Sequence, residues 1–136
     1  MADTLKLEIA TPTGTVYSKD VDMVVLPGVE GRMGILPHHV HLMTQLVPGE
    51  LIVRKDDQEE VLAVGEGLVE ITGKSVAIVT NMAVTVQDID EAAAEEARQR
   101  AAARLREKLS SEEVASVNAS MVRSLAQLRV KRRHHQ

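Results

Sequence analysis

Three histidines that stand almost side by side, His38, His39 and His41, are the residues best suited to bind a metal ion. Imidazole nitrogens are common ligands of zinc, copper and nickel, and a His-x-His step supplies two of them. A site of the cupin type would add a glycine six residues before the first ligand and an acid soon after the second. Met33 and Gln45-Leu46 occupy those positions, so we expect no metal site and interpret the histidines as flanking a turn.

Glycine pairs and adjacent acids are the next candidates for chemistry. Residues 28–34 have the spacing GxxGxxG and Gly65-Glu66-Gly67 lacks a third glycine, so neither segment matches a phosphate-binding loop. The acid pairs stand in charged neighbourhoods typical of solvated surface rather than of acid–base catalysis. The sequence also contains no GxSxG nucleophile elbow. We therefore predict a non-catalytic protein that needs no cofactor.

Composition excludes several further classes. Tyr17 is the only aromatic residue and there is no cysteine. Binding of single-stranded nucleic acid by stacking needs several aromatic rings, and disulfides or cysteine nucleophiles need thiols. The longest uncharged stretch, residues 33–49, is interrupted by prolines and histidines, whereas a spanning helix needs about 20 apolar residues. The N-terminus lacks the features of a signal peptide, so we expect a soluble protein without direct membrane insertion.

Charge and glycine content divide the chain near Gln87. Residues 1–87 carry 12 acidic and 6 basic side chains, whereas residues 88–136 carry 8 acidic and 10 basic ones. All 8 glycines and all 4 prolines belong to the first part. We therefore expect two domains, residues 1–87 and residues 88–136.

The first domain has the pattern of short β-strands. Apolar residues alternate with polar ones from Leu5 to Ile9, which is the period of a half-buried strand. Five further runs have strand character: Val21–Leu26, Glu50–Arg54, Glu60–Val64, Leu68–Ile71 and Ser75–Asn81. Turn signals separate the runs, at Thr13-Gly14, Pro27-Gly28, Pro48-Gly49, Lys55-Asp56-Asp57 and Thr72-Gly73-Lys74. Many short strands at this spacing predict an antiparallel β-sandwich or barrel.

The second domain has the pattern of two helices. An alanine-rich run extends from Ile89 to Leu109, and Ser110 with Glu113 forms a capping-box pattern that opens a second helix. The predicted facing stripes are Ile89, Ala93, Ala97, Ala101, Leu105 and Leu109 on the first helix and Val114, Val117, Met121, Leu125 and Leu128 on the second. Each alanine in place of leucine gives up roughly 2 kcal/mol of burial, so we expect an antiparallel hairpin that docks weakly and can leave.

The C-terminus is basic, with Arg123, Arg129, Lys131, Arg132 and Arg133 against two acids after residue 110. Three interpretations stay open from the residues alone: a nucleic-acid footprint, a surface that docks on an acidic protein, or a solvated tail. The corresponding function hypotheses are a subunit of a larger assembly and a stand-alone adaptor whose hairpin binds an acidic partner or nucleic acid. The overall acidity argues against nucleic acid. A His-dependent metalloenzyme is a third hypothesis.

Several segments, taken in order, resemble the epsilon subunit of bacterial F-type ATP synthase. They are Glu30–His39, Leu46–Leu51, Gly65–Glu70, Asp88–Ala92 and Leu125–Val130, and the resemblance extends over essentially the whole chain. It implies a flattened ten-stranded β-sandwich followed by an α-helical hairpin, and a subunit without catalytic activity.

The resemblance also implies the partners and the place of this chain. The sandwich would bind the gamma subunit and rest on the c-ring, at the cytoplasmic face of the bacterial plasma membrane, so that proton-driven rotation reaches the alpha and beta subunits. The surface facing the c-ring would contain Glu30, Arg32, Met33 and His39. The hairpin would inhibit ATP hydrolysis when it extends, because the five basic residues would then meet an acidic stretch of the beta subunit.

Some relatives bind ATP on the folded hairpin through an Ile/Leu-Asp-x-x-Arg-Ala motif and two later arginines. Here the motif keeps Asp90 but has Ala93 in place of the arginine, and Arg123 matches one later arginine while Gln127 replaces the other. Asp90 and Arg123 are therefore remnants, and we predict that this chain has no useful ATP site.

Overall fold

A computed structural model describes residues 3–105 and 111–134 of the chain. Within these residues, ten strands form a β-sandwich that is followed by two helices packed as a hairpin. The strands are β1 Leu5–Thr11, β2 Gly14–Val21, β3 Met23–Gly28, β4 Gly31–Ile35, β5 Leu42–Leu46, β6 Gly49–Lys55, β7 Gln58–Val64, β8 Gly67–Ile71, β9 Ser75–Thr80 and β10 Ala83–Thr85. A short 3₁₀ turn, Val86–Asp88, connects them to the helices α1 Glu91–Arg104 and α2 Ser111–Arg133.

Hydrogen bonds connect the strands in the order β10-β7-β6-β3-β5-β8-β9-β1-β2, and β4 pairs with β3. The described pairs are antiparallel except β1 with β9, which are parallel in register from Lys6 opposite Ser75 to Ala10 opposite Val79. A parallel pair needs a long connection, and the seven strands between β1 and β9 supply it. The predicted sandwich is confirmed, with this one parallel pair inside it.

The sandwich encloses its own aliphatic core. Leu5, Leu7 and Ile9 are fully buried while Lys6 and Glu8 are exposed, which confirms the alternation read from the sequence. The core cluster contains residues from β1 to β9 and no helical residue among those described. Burial of such side chains contributes about 1.5–3 kcal/mol each, so the stability of the sandwich does not depend on the hairpin.

Four strands, β2, β4, β5 and β10, were not among the predicted runs. Only Tyr17 and Val21 of β2 are buried, so its apolar period is too sparse to recognise. The predicted turn at Pro27-Gly28 is wrong, because both residues belong to β3 and the chain turns at Val29 and Glu30. Pro27 is accommodated near the strand end, where its carbonyl accepts a hydrogen bond from the Val47 amide at 2.9 Å.

Helix α1 begins at Glu91, two residues after the start of the predicted run at Ile89. Asp90 is its N-cap, and the Asp90 carboxylate accepts a hydrogen bond from the Ala93 amide at 3.0 Å, which satisfies one of the free amides of the first turn. The predicted end of this helix at Leu109 and the Ser110 capping box lie outside the described residues.

The two helices pack against each other as expected, but the α1 stripe differs by one residue. Ala93 is exposed and Ala94 is buried, so the predicted position of Ala93 is wrong. Ala94, Ala101 and Leu105 follow the helical period from the true start of α1. On α2, Val117 and Leu128 are buried, and the other members of the predicted stripe are partly buried.

A second stripe of α2, which the sequence analysis missed, docks the hairpin onto the sandwich. Ala126 and Val130 are buried in a small cluster with Ala63, Met82 and Ile89. The two helical residues are one turn apart and therefore share a face. This cluster is much smaller than the sandwich core, so the hairpin is held by a limited apolar contact together with polar ones.

Candidate functional site

The turn between β3 and β4 presents two of the residues predicted to face the c-ring. Glu30 and Arg32 are exposed on either side of Gly31, whose φ of +124° favours glycine. The Arg32 guanidinium donates a 3.5 Å hydrogen bond to the Glu50 carbonyl. Met33 lies on the same strand, but it is partly buried and packs against the sandwich core. Two charged side chains therefore project here, with Met33 supporting them from beneath.

His39 lies at the opposite end of the neighbouring strand. The Val29 amide donates to the Gln45 carbonyl near the end of β5, whereas the His38 amide donates to the Gly73 carbonyl near the start of β5, where Leu42 pairs with Ile71. The five residues of β5 span about 14 Å. The structure therefore does not bring His39 together with Glu30 and Arg32.

His38 and His39, two of the three neighbouring histidines, have separate surroundings. His38, in the left-handed region with φ of 71°, pairs with Asp3. His39 Nδ1–H donates to the adjacent Val40 carbonyl at 2.7 Å. In the described part of the chain, no group of three or more His, Asp or Glu side chains could hold a metal ion.

The outer surface of β5, β8 and β9 exposes four apolar side chains, Met43, Leu68, Ala77 and Val79, which we call the outer apolar patch. The exposed Glu70 lies on the same face, between Met43 and Ala77. Leu68 and Val79 are directly opposite each other, with 53% and 64% of their surface exposed, and Met43 is 65% exposed. Sequence reasoning did not identify this outer apolar patch. The available signal was β9, in which apolar residues occupy both faces of the strand. An apolar patch of this kind marks an interaction surface.

Three of the five C-terminal basic residues are already engaged within the chain. The Lys131 ammonium donates to the Val86 carbonyl at 3.1 Å. Arg132 Nε donates to Glu91 at 3.0 Å, and its Nη2 lies 3.4 Å from Glu95. Arg133 Nη1 lies 3.3 Å from the Glu50 carboxylate. These contacts join the end of α2 to α1 and to the sandwich, so the docked hairpin occupies its own cations.

Glu95 collects positive charge from both helices. A hydrogen bond from Arg98, opposed by partial desolvation, holds the pKa of the Glu95 carboxyl below its usual value, and Arg132 adds a smaller electrostatic contribution. The pKa of Arg98 is raised by the same pair. Both groups are solvated, so solvent screening leaves each such pair with only a small contribution to stability. The helix ends are therefore aligned by charge without being locked.

The two remnants of the ATP motif are not adjacent. Asp90 caps α1 beside the end of α2 that carries Arg132, whereas Arg123 is nine residues earlier in α2, about 13 Å along its axis. Arg123 instead borders a cleft of about 430 Å³ between the helices with Arg100 and Arg104. Sequence reasoning missed Arg100 and Arg104, because their spacing on α1 does not show that Arg123 of α2 lies at the same cleft. The absence of a useful ATP site stays a prediction.

The geometry defines a class of protein: an all-β binding domain whose exposed turn and outer patch suit protein partners, with a helical hairpin docked on it through few contacts. Residues 4–86 match the family described as ATP synthase, Delta/Epsilon chain, beta-sandwich domain, and residues 87–132 match its long alpha-helix domain. Relatives named ATP synthase epsilon chain include one from Dehalococcoides mccartyi, 41% identical over 96% of both chains, and one from Halorhodospira halophila, 40% identical over 93% of this chain and 91% of that one.

The chain belongs to the ATP synthase delta/epsilon chain family, which makes it a stalk subunit of the F-type complex and not the catalytic one. Solved structures share its fold at low identity. One match is a chain in the mitochondrial ATP synthase of Euglena gracilis. The match covers 98% of this chain and 84% of that one, with 19% identity and a TM-score of 0.72. One from the central stalk/c-ring structure of Tetrahymena thermophila covers 96% and 98%, with 11% identity and a TM-score of 0.64. No helix among the described residues is long and apolar enough to span a membrane.

Proposed function

We propose that this chain is a central-stalk rotor subunit that couples c-ring rotation to ATP synthesis through the gamma subunit and inhibits ATP hydrolysis through its hairpin. In this proposal residues 1–87 bind the rotor and residues 88–136 regulate. Family membership favours this function over a stand-alone adaptor. The place of action is the cytoplasmic face of the bacterial plasma membrane, where the chain is held by its partners.

The outer apolar patch is the proposed gamma-binding surface. Leu68 and Val79 would lose about 25 cal/mol of unfavourable hydration for each Å² that a partner covers. The patch lies on three hydrogen-bonded strands, so it is rigid before binding and little conformational entropy is lost on association. These properties suit a stable contact that must transmit torque.

The exposed charges of the β3–β4 turn are the proposed c-ring contact. Glu30 and Arg32 give the turn one charge of each sign, and solvated charges of this kind supply orientation more than affinity. Met33 would act indirectly, by holding the turn on the core. Because His39 lies at the other end of β5, it would not share this contact and belongs to a different surface of the sandwich.

The regulatory role follows from competition for the same cations. Lys131, Arg132 and Arg133 contact Val86, Glu91, Glu95 and Glu50 when the hairpin is docked. They can meet an acidic stretch of the beta subunit only after leaving these partners. This intramolecular pairing is the observation that carries the proposal, because it makes the docked and inhibitory arrangements mutually exclusive. Arg123 and Arg129 would add to the beta contact.

Removing residues 88–136 tests the proposal. The sandwich core contains no described helical residue, so the truncated chain should fold, bind gamma and support an assembled complex. ATP hydrolysis by that complex should increase severalfold, since the inhibitory element is gone. The comparison is with full-length chain in the same preparation, at low and high ATP. Unchanged hydrolysis under all conditions would refute the regulatory role, and loss of gamma binding would refute the stalk role.

A further inference from the structure

A buried carboxylate lies where the end of α2 meets the sandwich. Glu50, at the start of β6, is 6% exposed. Its Oε2 is 3.3 Å from Arg133 Nη1 and 3.2 Å from His134 Nε2. Neither contact has hydrogen-bonding geometry, and this oxygen has no hydrogen-bond partner among the described residues. The positive charge closest to this carboxylate in the described residues is therefore Arg133, on the hairpin, and His134 adds charge only when it is protonated.

The surroundings of Glu50 are strongly cationic. Arg32, Arg129 and Arg133 line the same small cleft, of about 230 Å³, between the sandwich and α2. Glu50 is the acid among the residues lining the cleft. The Arg32 guanidinium donates to the Glu50 carbonyl and Arg133 lies against the Glu50 carboxylate, and all three arginines are solvent-exposed. Removing the Glu50 charge would therefore remove an attraction on the end of α2 and leave three like charges around the cleft.

We infer that Glu50 is the latch residue that holds the hairpin docked, and that its pairing with Arg133 and His134 sets the fraction of molecules in which the hairpin is released. The apolar part of the docking contact is small, with Ala126 and Val130 as its described helical members. An ionic contact at the last turn of α2 consequently has a large share in the docking equilibrium. The inference deepens the proposed function, on which its regulatory meaning rests.

The latch is tested on the isolated full-length chain, which contains no cysteine. Cysteines introduced at the exposed positions Gln58 and Val122 carry spin labels, and pulsed electron resonance measures the distance between sandwich and α2. Glu50→Gln should raise the ratio of long to short distances about fivefold to tenfold. This change is larger than expected for the loss of an exposed ion pair and smaller than expected for the loss of a buried one. Glu59→Gln is the matched control, because Glu59 pairs with Arg54 inside the sandwich, at 3.5 Å.

A second variant protects the test from misfolding. Arg133→Gln with His134→Gln removes the other side of the contact from an exposed helix end and leaves the sandwich interior unchanged. It should open the hairpin to a similar extent, and combining it with Glu50→Gln should open it little further, because the substitutions remove one interaction. The latch is overturned if the Glu50→Gln distances equal those of Glu59→Gln, if the second variant stays closed, or if the unmodified chain is already mostly open.

The same variants separate the latch from the proposed function. If Glu50→Gln opens the hairpin and ATP hydrolysis by the assembled complex falls, the latch and the regulatory function are both supported. If the hairpin opens and hydrolysis is unchanged, the latch stands and the regulatory function fails. If the hairpin stays closed, the latch fails whatever the truncated complex does.

Discussion

Tyr17 and Glu60 show how a single residue joins two strands of the sandwich. The Tyr17 hydroxyl donates a 2.8 Å hydrogen bond to the Glu60 carboxylate, and the phenol ring is buried, with 8% of its surface exposed. Burial, followed by the hydrogen bond and charge of Glu60, raises the pKa of Tyr17 well above its usual value. Lys19 lies beside both, 5.1 Å from the ring centroid and 3.7 Å from the carboxylate.

Replacing Tyr17 by Phe should lower the free energy of unfolding by about 1 kcal/mol at neutral pH, since one hydrogen bond is lost. The raised pKa means that the unfolded phenol loses its proton first, from about pH 10, so the advantage of the wild-type chain should shrink as pH rises further. Denaturant unfolding of both chains at pH 7 and at about pH 11 measures the difference between their free energies of unfolding. A difference of the same size at both pH values would contradict the account.

The contacts of the latch residue, Glu50, could not be predicted from the sequence. Glu50 follows Pro48-Gly49 and reads as the polar start of a strand. Its carboxylate lies against Arg133 and His134, which are more than eighty positions away in sequence. Only tertiary packing brings them together, whereas the Asp90 cap, which involves neighbours four residues apart at most, was predictable from its local pattern.

At the scale of elements, the alanine-lined contact between α1 and α2 determines how firmly the hairpin holds together. Ala101 is 4% exposed at this contact, whereas Ala103, on the same helix, is exposed. The helical period predicted that such a stripe exists. It did not fix the stripe exactly, because the predicted stripe was counted in four-residue steps from Ile89, which precedes the helix, and the buried residue is Ala94 instead of Ala93.

Ala101→Leu should destabilise the paired helices by about 1–3 kcal/mol, because Ala101 is 4% exposed and the larger side chain would have to displace its neighbours. Ala103→Leu is the matched control and should change little. Hydrogen exchange of the α1 amides measures the effect. These amides should exchange faster in Ala101→Leu than in the wild-type chain, and at the wild-type rate in Ala103→Leu. Equal exchange in the two variants would show that the helices are not packed through Ala101.

Strand prediction succeeded where burial alternates regularly and failed where it does not. Leu5, Leu7 and Ile9 identified β1. In contrast, β5 exposes Leu42 and Met43 and buries Leu46 alone, so its apolar residues report a surface rather than a core. Met43 of the outer apolar patch disturbed the period of β5 in this way, whereas β8 and β9, which carry the rest of the patch, were predicted.

At the scale of the whole molecule, the fold separates a β-sandwich with its own core from a helical hairpin that docks on it through a small cluster. The family and the two-part architecture were predictable, because ordered segments along the chain carry them. The resemblance grouped Glu30, Arg32 and Met33 with His39, whereas the structure places His39 at the other end of β5 from these three residues. The contact of these residues with the c-ring stays a prediction.

The most direct test of a detachable regulatory hairpin is a distance measured inside the assembled complex. Fluorescent labels at Gln58→Cys and Val122→Cys report the separation of sandwich and α2 by energy transfer while hydrolysis is followed in the same sample. We predict a short distance in complexes that turn over and a longer one in complexes whose hydrolysis is inhibited. One short distance, unchanged between active and inhibited complexes, would contradict the account.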